Sequence, residues 1–211
     1  MPNAINEKNF ILQQGDEVEI ENIKEKYSNK KIVFFVGRHI QYKGLPYLVE
    51  AERFIKSDCE IIIAGDGPLT DKLKSACHSS RVHFVGRLDD NELRWHHYAA
   101  SIFAFPSITK NEAFGVALAE AMYCGTPAVT FTIPGSGVNW VSLNNITGLE
   151  VSNEDCKAYA GAIDKLLIDD RLREQFARKS MERVKEHFTI PIMIHLLDSY
   201  YKNMFENIYS K

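Results

Sequence analysis

Two carboxylates and two cations stand out by type and spacing. Glu112 and Glu120 are eight residues apart in Glu112-Ala-Phe-Gly-Val-Ala-Leu-Ala-Glu120-Ala-Met. Upstream, Arg38 and Lys43 are five apart in Gly37-Arg38-His39-Ile40-Gln41-Tyr42-Lys43-Gly44. Arginine offers a planar fork of donors and lysine a point charge, so the pair suits phosphate, and the helix that follows adds backbone donors at its start. A solvated turn would also show two such cations. The stretch is not a magnesium-dependent phosphate loop, because Lys43 precedes Gly44 and Leu45 stands where a Ser or Thr would be needed. Glu112 lies in a loop and Glu120 inside an apolar helix, up to ~12 Å apart along its axis at ~1.5 Å per residue. That distance suits two acids gripping different sets of hydroxyls, with an anion between them at the helix start around Phe114-Gly115-Val116. It is long for an acid/base pair, which works at ~5–9.5 Å. The plainer readings are a helix-start acid for Glu112 and a buried, paired acid for Glu120, the latter costly without its partner.

Other chemistry is poorly supported. Gly65-Asp66-Gly67-Pro68-Leu69-Thr70 approaches a dinucleotide fingerprint, but Thr70 replaces the third glycine and the turn follows the second strand rather than the first. No Asp-x-Asp and no His/Cys cluster at metal spacing occurs, so no metal or cofactor is expected. The adjacent His96 and His97 diverge on a helix and read as ordinary surface or core imidazoles. Asn145-Ile-Thr147 fits a glycosylation acceptor without a secretory signal to use it. Ser107, Ser136 and Ser142 lack a nucleophile-elbow context. Cys59, Cys77, Cys124 and Cys156 are scattered singly and read as reduced thiols in or near the core.

The elements that would position these residues follow from periodicity. Lys31–Val36, Cys59–Ala64, Val82–Val85 and Ile102–Phe105 are short apolar runs stopped by glycine or proline; Ala128–Phe131 and Gly148–Val151 are two more. Helical spacing fills 45–55, 69–76, a segment capped by Asp89 or Asp90 and running to Ala100, and 115–123 before Gly125. Apolar strands alternating with helices predict an α/β fold, a doubly wound parallel sheet with helices on both faces. Ligands of such sheets bind outside the strands' carboxyl ends, where nearly every glycine turn above falls. From Asn153 onward the pattern is helical only, over about 153–169, 171–187 and 192–208. The last of these carries Ile192, Met193, Ile194, Leu196, Leu197, Tyr200, Tyr201, Met204 and Phe205 and should expose part of that apolar surface. Residues 1–15 show no regular pattern and read as a connector, 16–190 as one domain and 191–211 as a crossing helix.

The chain has 211 residues with 25 basic and 28 acidic side chains, a net charge of −3. That excludes a nucleic-acid binder acting by bulk charge. No apolar run approaches the ~20 residues of a membrane span, and no signal peptide leads the chain, so the cytoplasm is the expected compartment.

Taken in order, these segments resemble the C-terminal, donor-binding half of the family 4 retaining GT-B glycosyltransferases, the group 1 glycosyl transferases. The resemblance rests on Val36-Gly37-Arg38 with Lys43-Gly44, Ala64-Gly65-Asp66-Gly67-Pro68, Val85-Gly86-Arg87-Leu88, the Glu112-x7-Glu120 signature, Cys124-Gly-Thr-Pro127 and Thr147-Gly148-Leu149. It implies that Arg38 and Lys43 hold the donor diphosphate and stabilise it as leaving group. It further implies that Glu112 and the amides of Ala113, Phe114, Gly115 and Val116 contact sugar and phosphate, and that Glu120 binds the ribose. The turns at Gly65–Pro68 and Gly86–Leu88 would line the nucleobase pocket, with Gly37 at the phosphates. No metal is implied. The acceptor would be a sugar or lipid-linked glycan, as in bacterial-type polysaccharide or lipopolysaccharide assembly, with the full protein peripheral at the inner face of the membrane. Pro2-Asn3-Ala4-Ile5 resembles the family's interdomain linker, which implies an absent N-terminal acceptor domain and no turnover by this chain alone. Where many members carry a carboxylate after the fifth strand, this chain has Trp140. The competing readings are a non-catalytic nucleotide-binding module and another enzyme of the same architecture, such as a nucleotide-sugar epimerase.

Overall fold

The computed structural model describes residues 3–209 of the chain. Six parallel strands form the sheet: β1 (Lys31–Val36), β2 (Cys59–Ala64), β3 (Val82–Gly86), β4 (Ile102–Phe105), β5 (Ala128–Phe131) and β6 (Gly148–Val151). Their spatial order is β3-β2-β1-β4-β5-β6. The chain moves outward from β1 to β3, then returns to place β4 on the other side of β1, with Val33 paired to Ile102. The order therefore reverses between β1 and β4, and a crevice opens at their carboxyl ends.

Hydrophobic patterning accounts for the layers. β1, β4 and β5 are buried on both faces over nearly their whole length, which requires helices above and below. One face carries α4 (Asp90–Ala99) and α5 (Val116–Tyr123), flanked by α1 (Asp16–Lys26) and α8 (Asp170–His187). The other carries α2 (Leu45–Glu52) and α7 (Cys156–Ile168), with α3 (Thr70–Ala76) beside α2. A single turn, α6 (Val138–Val141), follows β5, and α9 (Ile190–Tyr209) ends the described chain. Asp89 closes the start of α4 as a capping box with Glu92. β3 departs from the expectation of a buried strand: it is the sheet's edge and half-buried throughout. His97 is buried among the rings of Phe10, Phe34 and Phe103, with centroids 5.3–5.7 Å away. Burial pushes its pKa down to about 3, so it is a neutral core imidazole.

The leading segment differs from the irregular connector expected of residues 1–15. Glu7–Phe10 forms a 3₁₀ turn, and Ile5 and Phe10 are core residues. Ile5 N–H donates to Phe188 O at 2.8 Å and Ile190 N–H donates to Ile5 O at 3.2 Å, so the front of the chain is stitched to the turn between α8 and α9. α1, which the pattern of apolar residues does not announce, is held by its first residue: Asp16 is buried and ion-paired to Arg94 at 2.8 Å. Pro2 and the side chain of Phe205 lie outside the described residues. On α9, Ile194, Leu196, Tyr200, Tyr201 and Met204 are exposed as expected. Among the described residues, no helix is long and apolar enough to cross a membrane.

Candidate functional site

The switch point brings the sequence-marked residues of two loops to one cleft of about 460 Å³. Gly37 and Lys43 line it from the loop after β1, Glu112 to Val116 from the loop after β4, and Glu120 from the second turn of α5. The two loops are locked together. Tyr42 O accepts from Ile108 N–H at 3.0 Å, and Gly44, at φ +67°, approaches the β4 loop so closely that a Cβ there would stand 1.8 Å from Pro106 O. Only glycine fits both the backbone angle and the contact. The loop that carries Lys43 therefore cannot shift without the loop that carries Glu112.

Inside the cleft, Lys43 Nζ lies 2.5 Å from Glu112 Oε2, with both side chains largely buried. The ammonium also lies 5.4 Å from the Phe105 ring centroid and 5.6 Å from that of Tyr42, within cation–π range. Ser107, fully buried, donates to the same Oε2 at 3.0 Å, while the Ser136 hydroxyl donates to the Glu112 carbonyl. Glu112 is thus a loop acid fixed by three groups and not a helix-start acid. No described residue donates to its second oxygen, Oε1, which keeps access to solvent.

The start of α5 is uncapped: Gly115 is its N-cap and offers no side chain. Ala113, Phe114 and Gly115 have amides with no backbone acceptor among the described residues. An uncapped helix start in a cleft is electropositive and open to an anion. Glu120 has no hydrogen-bond or ion-pair partner among the described residues, which removes the plainer reading of a paired core acid. Burial, with the negative charge of Asp90 adding to it, raises its pKa to about 7. A carboxyl group in that setting is poised to exchange its missing partner for ligand hydroxyls.

The remaining candidates do not line this cleft but sit on turns beside it, Arg38 directly after Gly37, which does line it. Arg38 is exposed at the end of β1, and no described residue pairs with it. Arg87 forms an exposed pair with Asp66 at 2.9 Å, and Leu88 follows it on the turn after β3. Gly65 and Gly67 owe their identity to packing: a Cβ on Gly65 would stand 2.0 Å from Gly37 O and one on Gly67 2.7 Å from His39 O. Their turn is thereby pressed against the loop that carries Arg38 and Lys43. His39, buried beneath it, shares its Nδ1 with the Thr70 hydroxyl at 2.8 Å, and Thr70 in turn accepts from Gly67 N–H at 2.9 Å. Trp140 is half-exposed, packed edge-on to Phe188, which packs edge-on to Phe114. Asn3, from the linker-like segment, also lines the site, and Ser107, which the sequence marks only as a serine without a nucleophile's context, supports it through the five-residue turn to Glu112.

A larger hollow of about 730 Å³ lies between α2 and α3. Its acids are already engaged, Glu50 with Arg53 at 3.2 Å and Glu52 with Arg81 at 2.5 Å. It lies on helix flanks and not at strand ends, so the smaller cleft is the better-equipped one chemically. Among the described residues, no cluster of three or more His, Cys, Asp or Glu is arranged to hold a metal.

Known proteins resemble this chain in sequence and in fold. The chain is 31% identical over 173 residues to the D-rhamnosyltransferase WbpZ of Pseudomonas aeruginosa, covering 81% of this chain and 44% of that protein. It is 28% identical over 169 residues to the O-antigen chain mannosyltransferase C of Escherichia coli, covering 79% of this chain and 44% of that protein. The chain thus spans less than half the length of these relatives. Among solved structures, the sucrose-phosphate synthase of Thermosynechococcus elongatus superposes with a TM-score of 0.82 at 25% identity, covering 98% of this chain and 52% of that one. Anabaena HepE, solved with UDP and glucose, shares the fold with a TM-score of 0.80 at 18% identity, covering 94% of this chain and 55% of that one. Residues 16–183 match the family described as glycosyl transferases group 1, and the chain belongs to that family.

Proposed function

We propose that this chain is the nucleotide-diphospho-sugar donor-binding half of a metal-independent, retaining hexosyltransferase of polysaccharide or O-antigen type assembly. The observation that carries the reading is the single cleft in which Lys43, Glu112, the uncapped start of α5 and Glu120 converge at the β1/β4 switch point. Each group has a place in the chemistry. Lys43, Arg38 and the amides of Ala113–Val116 receive the diphosphate, so that negative charge developing on the leaving oxygen meets fixed donors. Glu112 Oε1 accepts from sugar hydroxyls and Glu120 from the ribose. The turn at Gly65–Pro68, held against the β1 loop by His39 and Gly65, and the turn at Gly86–Leu88 border the base. In the transfer, the bond from the anomeric carbon to the phosphate oxygen breaks and one to the acceptor oxygen forms on the same face. The acceptor's proton passes to the departing phosphate. With two cations and a helix start supplying positive charge, the reading needs no metal. The acceptor is a sugar or lipid-linked glycan held by a further domain, and the 211-residue chain alone transfers nothing.

A thermal-shift panel of UDP-, GDP-, ADP- and dTDP-sugars in chelator tests this directly. One nucleotide class should raise the melting temperature, and Lys43→Ala should weaken its binding by ~1.5–3 kcal/mol, the scale of a charge-assisted hydrogen bond. Binding that requires added manganese overturns the metal-free reading. No stabilisation by any nucleotide overturns the donor-binding one.

A further inference from the structure

Lys43 and Ser107 converge on one oxygen of Glu112 and leave the other bare, although the two donors have different prospects once an anion enters the cleft. Ser107 is fully buried at the foot of the β4 loop, and Glu112 is the one partner of its hydroxyl among the described residues. Lys43 is on the opposite loop, lines the cleft itself and is held by rings as well as by the acid. An entering diphosphate, with more charge than a carboxylate, competes for that ammonium. The same movement would strip Glu112 of its cation, and a carboxylate released without another anchor would swing free.

We propose, resting on the donor-binding reading above, that Ser107 is the positioning residue of Glu112 and that Lys43 is its exchangeable partner. Without ligand, Lys43 is latched to Glu112. The diphosphate draws Lys43 away, and Ser107 keeps Oε2 in place, so that Oε1 continues to face the sugar. The latch makes the bare diphosphate a weaker ligand than its contacts alone would allow, because it must break an ion pair to bind. The sugar-bearing donor recovers that loss by occupying the released carboxylate. Discrimination between the donor and the spent nucleotide thus resides in three side chains from two interlocked loops.

The test is calorimetry on the 211-residue chain with UDP, GDP, ADP and dTDP, each bare and as its glucose or mannose conjugate. Melting temperature serves as the folding control. Glu112→Gln should bind the bare diphosphate roughly three- to tenfold more tightly than the unmodified chain, since an amide holds a lysine far less firmly. Its preference for the sugar conjugate should disappear. Glu112→Asp keeps the charge but withdraws it by one methylene, and should show the same gain for the bare diphosphate. Ser107→Ala should leave bare-diphosphate affinity within about twofold while lowering the conjugate-to-bare ratio at least roughly threefold, a split that a general packing defect would not give. Tighter binding by the Gln variant alone would show that the charge of Glu112, and not its contact with Lys43, opposes the diphosphate, and would overturn the latch. An unchanged ratio in Ser107→Ala would remove the positioning role. Binding of a nucleotide with none of these changes sinks the inference and leaves the donor-binding reading standing. Failure of every nucleotide to bind sinks both.

Discussion

Two of the charged clusters on this fold are built to opposite rules. At the start of α1, Asp16 receives four hydrogen bonds: Arg94 Nε at 2.8 Å, Arg94 Nη2 at 3.1 Å, Trp95 Nε1 at 2.6 Å and Gln13 N–H at 2.7 Å. Arg94 also donates to Asn9 O and Asn91 Oδ1. Both carboxylate oxygens of Asp16 are doubly engaged, and the arginine holds that carboxyl well below the usual carboxylate range. In the cleft, by contrast, Glu112 leaves one oxygen bare, Glu120 has no partner among the described residues and three successive amides lack a backbone acceptor. A folded chain satisfies its buried polar groups wherever nothing else will. Where open groups instead line a cleft, as here, they are the ones a ligand can engage. Satisfaction, more than charge or burial, separates the girder from the binding site.

The largest expected effect tests the closed cluster. Asp16→Ala leaves Arg94 buried without its counter-ion and should cost ~3–5 kcal/mol of unfolding free energy, measured by denaturant titration. Nucleotide binding by the surviving folded fraction should be unchanged. A loss of affinity comparable to the loss of stability would mean that the two clusters are coupled and that the contrast between them is false.

The open cluster should respond with the opposite sign. Because the pKa of Glu120 is raised to about 7 from an ordinary value near 4.5, the folded chain keeps a proton that the unfolded chain has released between those limits. Stability contributed at this position is therefore intact at pH 4.5, declines as pH rises and is gone above about 7. Glu120→Gln should stabilise the chain by on the order of 1–3 kcal/mol at pH 8 and by nothing at pH 4.5, while weakening bare and sugar-bearing nucleotides equally. A pH-independent change in stability would show that the carboxylate is not costly in the fold.

The smallest effect sharpens the boundary of the site. The Arg87–Asp66 pair is fully in solvent, where ion pairs contribute little. Arg87→Ala should leave the melting temperature unmoved. If the turn after β3 does border the base, affinity should still fall, and should fall differently among UDP, GDP, ADP and dTDP. Equal affinities before and after would confine the site to the β1/β4 cleft.

The six strands and the three helices after β6 were legible because apolar runs and helical spacing are local signals. So were Lys43, Glu112 and Glu120, whose types are hard to explain in an apolar context. α1 was not legible. Only Ile20 and Ile23 on it face the core, and the helix is anchored by an ion pair with a residue 78 positions away. The leading segment hid for the same reason: Ile5 gains its place from Phe188 and Thr189, far along the chain. Ser107 was legible only as a serine without a nucleophile's context, because nothing local shows the turn that aims its hydroxyl at Glu112. Gly65 and Gly67 were visible, but their cause was not. Packing also requires them, since the nearest atoms that exclude a side chain belong to Gly37 and His39.

The stitch between Ile5 and Thr189 has a topological consequence. It closes residues 5–189 into a ring fastened by hydrogen bonds, so the stretches before Ile5 and after Ile190 depart from one point on the surface. A unit with a common entry and exit can rotate about that point without unravelling. It can also be cut elsewhere and rejoined there. A circular permutant with a Gly/Ser linker long enough to run back along the roughly 30 Å of α9 to the junction, and with new ends in the exposed turn around Ser28 and Asn29, would keep Lys43 and Glu112 on one continuous chain.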